Sequence, residues 1–215
     1  MARAPGGFAR PAQILSRSAT AERSALPGRR LESTEVPFSY YDRLSQRAQA
    51  IYRRSDATAS LALPRAELLR PAVEELRAAL ASDDRRAVEQ AAARLASGLA
   101  RHLSLPPVVV QVLAVRPSAR WGELHGLYTR DERPPARIQL WMRTARHRRV
   151  VAFRTFLRTL LHEIGHHVDY ELLRLADSFH TEGFFKRESS LFHQLVPEAG
   201  AGGAQDSEEP PPGLK

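Results

Sequence analysis

The chain has 215 residues, 43% of them hydrophobic, with a formal net charge of +8 and no cysteine. This length suits one hydrophobic core, and the absence of cysteine excludes disulfide frameworks and thiolate zinc ribbons. No apolar run approaches the roughly 18 residues of a membrane span. We therefore expect a cytoplasmic protein without a membrane partner, in which any metal is bound by His, Asp or Glu.

The positive charge comes almost wholly from arginine, in a chain rich in alanine. Genome base composition can produce this usage, so the charge is weak support for a function. Basic surfaces favour nonspecific contact with polyanions, but no basic platform with interleaved aromatic residues is visible. Nucleic acid is therefore a possible but weakly supported partner.

Composition divides the chain into four parts. Residues 1–36 lack the apolar core of a secretory signal and are expected to form a disordered arm, while residues 37–105 are expected to form a helical support region. Residues 106–196 contain the candidate metal-binding and catalytic residues. Residues 197–215 are poor in apolar side chains and predict a disordered tail.

Three helices are predicted in the support region, because apolar residues recur there at steps of three and four. Residues 37–44 lead into the first helix, which runs to about residue 54, and the other two cover residues 64–81 and 83–103. Pro71 marks a restart or a kink in the second helix, and Ser82 or Asp83 is placed to cap the third. We interpret the last two as an antiparallel hairpin, and the first as packing or as a docking element laid over the domain.

The periodicity then changes to that of strands, which are predicted over residues 108–115, 123–128 and 137–142. Pro134 and Pro135 precede the third of these strands, and proline favours a strand start or a sheet edge. At an edge, the third strand could pair with an extended peptide. The alternative is a plain strand that covers the helix.

A long amphipathic helix is predicted over residues 149–175, and residues 161–167 within it read LHEIGHH. This sequence contains the HExxH pattern. On a helix, His162 and His166 project from one face about one turn apart, so that both imidazoles can reach one tetrahedral zinc ion. Glu163 lies roughly 100° round the helix, where it can take a proton from a zinc-bound water. The alternative is a chance match on an ordinary helix.

Helical projection separates this metal face from an apolar face. The apolar sector holds Phe153, Leu157, Leu160, Leu161, Ile164 and Val168. We therefore expect a helix packed on one side against the core and open on the other to a cleft. Asp169 falls on the metal face, where it could accept a hydrogen bond from a ligand histidine or be solvated. His167 points away from the ligands and is interpreted as structural.

A catalytic zinc usually has three protein ligands and a water, so a third ligand is needed. His180 is the best candidate, because an extended segment after the helix can retrace the distance back to His166. Glu182 and Glu188 are the alternatives. If the segment after His180 is helical, Glu188 lies about 12 Å beyond it along the axis and is not expected to share its metal.

Residues 180–186, His-Thr-Glu-Gly-Phe-Phe-Lys, follow HExxH after a helix and a turn. They resemble the His-x-x-x-Phe-x-Lys segment of the SprT-like (Spartan-type) zincin metalloproteases. The resemblance covers roughly residues 108–195. It implies that His162, His166 and His180 bind zinc, that Glu163 is the catalytic acid and base, and that Phe184 anchors the core.

The expected fold is therefore α+β: a helical region, then a minimal zincin-like domain with a small antiparallel sheet, an active-site helix and a following helix. The expected function is that of a zinc-dependent endopeptidase acting on a protein or peptide substrate, with Glu163 as general base for a zinc-activated water. The alternative is a noncatalytic zincin-like module that binds a protein or nucleic acid. The candidates for stabilising the oxyanion are Tyr128, His125, Tyr170 and His193.

Overall fold

The computed structural model describes the backbone of residues 12–15 and the whole of residues 38–119, 122–130 and 135–197. The arm and tail predicted to be disordered otherwise lie outside these ranges. The helices are α1 (Gln46–Asp56), α2 (Arg70–Ala81), α3 (Arg85–His102), α4 (Phe153–Glu171) and α5 (Glu182–Leu195). The strands are β1 (Ala12–Leu15), β2 (Val108–Val115), β3 (Ser118–Ala119), β4 (Gly122–Glu123), β5 (Gly126–Arg130) and β6 (Ala136–Arg143).

The helical support region forms three helices close to the predicted positions. Pro71 lies in the first turn of α2, where its missing N–H costs nothing. The two caps predicted for α3, Ser82 and Asp83, lie two residues and one residue before the observed cap. Asp84 is the N-cap and accepts hydrogen bonds from the backbone N–H groups of Arg86 and Ala87, because the preceding Asp83 adopts a left-handed turn with φ of 58°.

The main sheet has the strand order β1-β5-β6-β2. It is mixed rather than antiparallel, because β2 runs parallel to β6 whereas β5 and β1 are antiparallel to their neighbours. The prediction that residues 137–142 form an edge strand is wrong, since β6 lies between β2 and β5. The predicted strand 123–128 divides into β4 and β5.

Helix α4 begins four residues later than predicted. Arg148 has a positive φ of 50°, and residues 150 and 151 pair with the end of β6 before the helix starts at Phe153. The predicted apolar sector of α4 faces the core: Phe153 is partly buried against it, and the other five residues, Leu157, Leu160, Leu161, Ile164 and Val168, are fully buried. The helix packs against β5, β6 and α5.

The predicted α+β class is confirmed: helices come first, then the mixed sheet, then two packed helices. Within the described ranges, no helix combines the length and the apolar character that crossing a membrane requires. The residue limits proposed for the four regions of the chain stay predictions.

Candidate metal centre

Three imidazole rings converge between α4 and the start of α5. The Nε2 atoms of His162 and His180 are 3.0 Å apart, and those of His180 and His166 are 3.2 Å apart. Nitrogen ligands of one tetrahedral zinc ion lie about 3.3 Å from one another, given metal–nitrogen bonds of about 2.05 Å. These three histidines could therefore hold one metal ion.

His180 joins His162 and His166 in the group that could hold a metal ion, and neither Glu182 nor Glu188 belongs to that group. His180 lies in the segment between α4 and α5, just before the N-cap residue Thr181. Glu182 forms an exposed ion pair with Lys186. Glu188 contacts the Nδ1 atom of His162, on the side of the ring away from His180.

The hydrogen bonds of Ser178 determine the tautomer of His166. The Ser178 hydroxyl donates its single proton to Asp169 Oδ2 at 2.7 Å, and its Oγ atom lies 2.8 Å from His166 Nδ1. Because the hydroxyl proton is already used, Oγ accepts from an Nδ1–H group. His166 Nε2 therefore presents a lone pair to the other two rings, as a metal ligand requires.

Asp169 thus acts on His166 through Ser178, and the direct hydrogen bond considered from the sequence is replaced by this relay. The carboxylate is fully buried and is bound by the guanidinium of Arg187, with a nitrogen–oxygen distance of 2.6 Å. Burial raises the pKa of Asp169 to about 6, although Arg187 and Ser178 favour its ionised form. The relay is therefore built into the core of the domain.

The sequence analysis missed Ser178 and Arg187. A signal for Arg187 was available, because it lies three residues after Phe184 and four before Leu191, on the buried face of α5. A charged residue on such a face usually has a buried partner. Ser178 gave no comparable signal, since it lies in the irregular segment after α4.

His162 is held by a second carboxylate. Its Nδ1 atom lies 3.2 Å from Glu188 Oε2, and the other oxygen of Glu188 accepts from Arg158 at 3.4 Å. A carboxylate beside Nδ1 favours the Nδ1–H tautomer, which leaves Nε2 of His162 available to a metal. Glu188 is therefore placed to orient a ligand.

Burial and neighbouring rings favour the neutral forms of His166 and His180. Burial lowers the pKa of His166 well below its ordinary value, and the neighbouring His162 and His180 lower it further. Burial, followed by the proximity of His162, lowers the pKa of His180 to about 3. Neutral imidazoles with convergent lone pairs repel one another unless a cation or proton lies between them, so the donor set fits a metal ion.

Glu163 lies beside the histidines and against β5. It is fully buried, and its Oε1 atom occupies the space that a Cβ atom at position 126 would need. The side chain of Thr159 borders the same space. Gly126 is therefore the residue that lets the carboxylate of Glu163 pack against the strand.

Phe184 forms the floor of the centre. Its ring is buried, and its centroid lies 4.9 Å from the ring centroids of both His162 and His166. Gly165 permits this packing, since a Cβ atom there would lie 2.9 Å from the ring of Phe184. The anchoring position implied by the family resemblance agrees with this burial.

The metal face of α4 was predicted to be open to a cleft, but most of it is buried. His166 and Glu163 are completely buried, and His162 is 8% exposed, because the segment after α4, α5 and β5 all pack onto this face. His180 is partly exposed. The solvent-exposed part of the centre therefore belongs to His162 and His180.

Three of the four oxyanion candidates are engaged elsewhere. The hydroxyl of Tyr128 is 2.9 Å from His167 Nδ1, and His167 Nε2 donates to the backbone oxygen of Pro106, so both residues are structural here. Tyr170 stacks on Tyr128 and its hydroxyl bonds Asp177, and His193 binds a backbone oxygen of its own helix. His125, which immediately precedes β5, stays a prediction.

Comparison of the chain with protein-family models, with curated proteins and with solved structures gave no match.

Proposed function

We propose that the chain is a zinc-dependent endopeptidase with a zincin-like, SprT-like centre. The observation that carries the proposal is the convergence of the three imidazoles of His162, His166 and His180, with the buried Glu163 directly following the first of them on α4. A structural site would need the histidines but not an adjacent carboxylate. The resemblance of residues 180–186 to the SprT-like segment points to the same chemistry.

The ligands would be His162, His166 and His180, and the donor chemistry favours zinc, which accepts three imidazoles and retains an open position in catalytic sites. A zinc ion held there would supply Lewis acidity towards the peptide carbonyl and the attacking water. Ser178 and Glu188 hold the rings of His166 and His162 in the orientation that this requires.

Glu163 is the general base and general acid of the proposed reaction. It follows the first ligand directly, and its packing against Gly126 restricts where its carboxylate can lie. In the proposed cycle it takes a proton from the attacking water and passes a proton to the leaving amine. The products are a carboxylate and an amine, so the step consumes one water and needs no other reactant.

The test uses the purified full chain, elemental analysis and cleavage of an unfolded protein such as casein. Glu163→Gln keeps the shape of the side chain but removes its basicity, so we expect zinc to be retained and cleavage to fall by about 10²- to 10⁴-fold. His180→Ala is expected to lose zinc. Unchanged cleavage by Glu163→Gln would exclude the mechanism, and stoichiometric zinc without cleavage by the wild type would favour the noncatalytic binding module.

A further inference from the structure

The third histidine lies on a segment that connects two helices, whereas His162 and His166 are fixed by α4. A ligand on a connecting segment needs additional contacts if it is to keep its position before a metal binds. The residues that follow His180 are held by an N-cap bond, in which Thr181 Oγ1 accepts from Phe184 N at 3.0 Å. The backbone of His180 itself is held from elsewhere in the chain.

That contact comes from the segment of residues 38–58, which we call the N-terminal clamp. The hydroxyl of Tyr40 donates to the backbone oxygen of His180 at 2.8 Å, across 140 positions of sequence. Asp56, at the end of α1, accepts from the backbone N–H of Gly183 at 2.7 Å. The N-terminal clamp therefore binds the chain on both sides of the N-cap of α5.

The contact between the N-terminal clamp and α5 is close. A Cβ atom at position 183 would collide with the backbone carbonyl of Asp56, so the first turn of α5 lies directly on the end of α1. One turn later, Arg187 donates to the backbone oxygen of Thr58 at 2.6 Å and to Ser55 Oγ at 3.0 Å. The position of α5 relative to α1 is thus fixed at several points.

The aromatic neighbours of Tyr40 keep its hydroxyl in place. Its ring stacks on Phe38 and meets the edge of Tyr52, with centroid distances of 6.1 and 6.0 Å. A phenol is protonated at neutral pH, so the hydroxyl that these rings position is the donor to the backbone oxygen of His180.

We propose that Tyr40 is a positioning residue of the metal centre, which holds the backbone of His180 so that the imidazole meets His162 and His166. This inference rests on the proposed metal site. It assigns the N-terminal clamp a function in metal binding: the clamp presents the third ligand. Tyr40 does not contact the metal itself and acts only through the carbonyl group of His180.

The test compares Tyr40→Phe with Tyr41→Phe in the full chain. Both changes remove one hydroxyl and keep the ring, and both rings lie edge-on to Tyr52. The hydroxyl of Tyr41, however, accepts a hydrogen bond from Arg53 on the same segment. Zinc affinity is measured by competition with a chromophoric chelator, and ligand geometry by the visible absorption of bound Co²⁺.

We expect Tyr40→Phe to weaken zinc binding about tenfold and to change the Co²⁺ spectrum, with little change in the thermal midpoint of the metal-free protein. Tyr41→Phe should leave all three unchanged. Wild-type affinity and spectrum in Tyr40→Phe would overturn the positioning role alone, as would equal losses in the two variants. A wild-type chain that binds neither Zn²⁺ nor Co²⁺ would overturn the proposed function as well.

Discussion

At the scale of single residues, the two candidate ligands on α4 are oriented by different partners. His162 is held by the carboxylate of Glu188, and His166 by the hydroxyl of Ser178. A carboxylate beside Nδ1 increases the basicity of the imidazole more than a neutral hydroxyl does. Glu188 is therefore expected to contribute to metal affinity although it is not a ligand.

The variant Glu188→Gln tests this contribution. The amide keeps the size of the side chain but loses the negative charge that supports His162, so zinc affinity should fall by about 10- to 100-fold. Chelator competition at constant pH measures the change. Glu182→Gln is the matched control on the same helix, since Glu182 is paired with Lys186 at the surface. Equal affinities in the two variants would contradict the orienting role of Glu188.

Gly126 provides a separate test of Glu163. In Gly126→Ala the added methyl group needs the space of Glu163 Oε1, so the carboxylate must move from its position beside the histidines. Catalysis depends on that position more strongly than metal binding does. We expect kcat to fall by about 100-fold or more, with zinc stoichiometry retained. A variant that keeps the wild-type kcat would show that the placement of the carboxylate against β5 is unimportant.

His162, Glu163 and His166 could be predicted because local spacing on a helix determines which side chains share a face. His180 could be predicted only as one of three candidates, since its approach depends on the course of the segment after α4. The hydrogen bond from Tyr40 to His180 spans 140 positions, and no periodicity in the sequence relates such distant residues. The contacts that orient the three histidines therefore depend on the tertiary fold.

At the scale of elements, α3 and α4 were predicted to within four residues at each end, because their apolar spacing and caps are local signals. The place of β6 within the sheet was not predicted correctly. Proline residues before the strand suggested an edge, yet β2 pairs with β6 in parallel. Parallel pairing joins strands through a long crossover, so neither strand carries a local signal of its neighbour.

The contact between α4 and α5 depends on Gly165, which lies against the ring of Phe184. Alanine at position 165 favours the helix by up to about 1 kcal/mol, but its methyl group overpacks a fully buried ring, at a cost of about 1–3 kcal/mol. We therefore expect Gly165→Ala to lower the free energy of unfolding in a urea titration. In the double variant with Phe184→Leu, the loss of stability should be smaller than the sum of the two single losses. A loss equal to that sum would contradict the steric explanation.

At the scale of the whole molecule, one buried ion pair joins three parts of the chain. Arg187 on α5 binds Asp169 on α4 and the end of α1 near Ser55, and Asp169 continues to the metal centre through Ser178. A buried ion pair contributes little net stability, but removal of one partner leaves an uncompensated charge. The pair therefore fixes how the helices meet, and with them the histidines.

The stability of the metal-free protein should depend on pH because buried groups, among them His166, His180 and Asp169, titrate differently in the folded and unfolded chain. The folded-state pKa values of His166 and His180 are lowered. The unfolded chain therefore binds more protons than the folded one below an ordinary histidine pKa of about 6.5, and stability falls as pH decreases. Asp169 acts in the opposite direction, since its raised pKa stabilises the folded state as pH falls from 7 to 5.

Two histidines outweigh one carboxyl group, so we expect the free energy of unfolding, measured by urea titration in the presence of a chelator, to be lower at pH 5 than at pH 7. Each buried histidine contributes up to roughly 2 kcal/mol to that difference. His180→Gln removes one of the two groups and leaves Asp169 unchanged, so it should reduce the difference between the two pH values by a similar amount. If the variant and the wild type lose equal stability, His180 is not held as a neutral, buried imidazole in the metal-free fold.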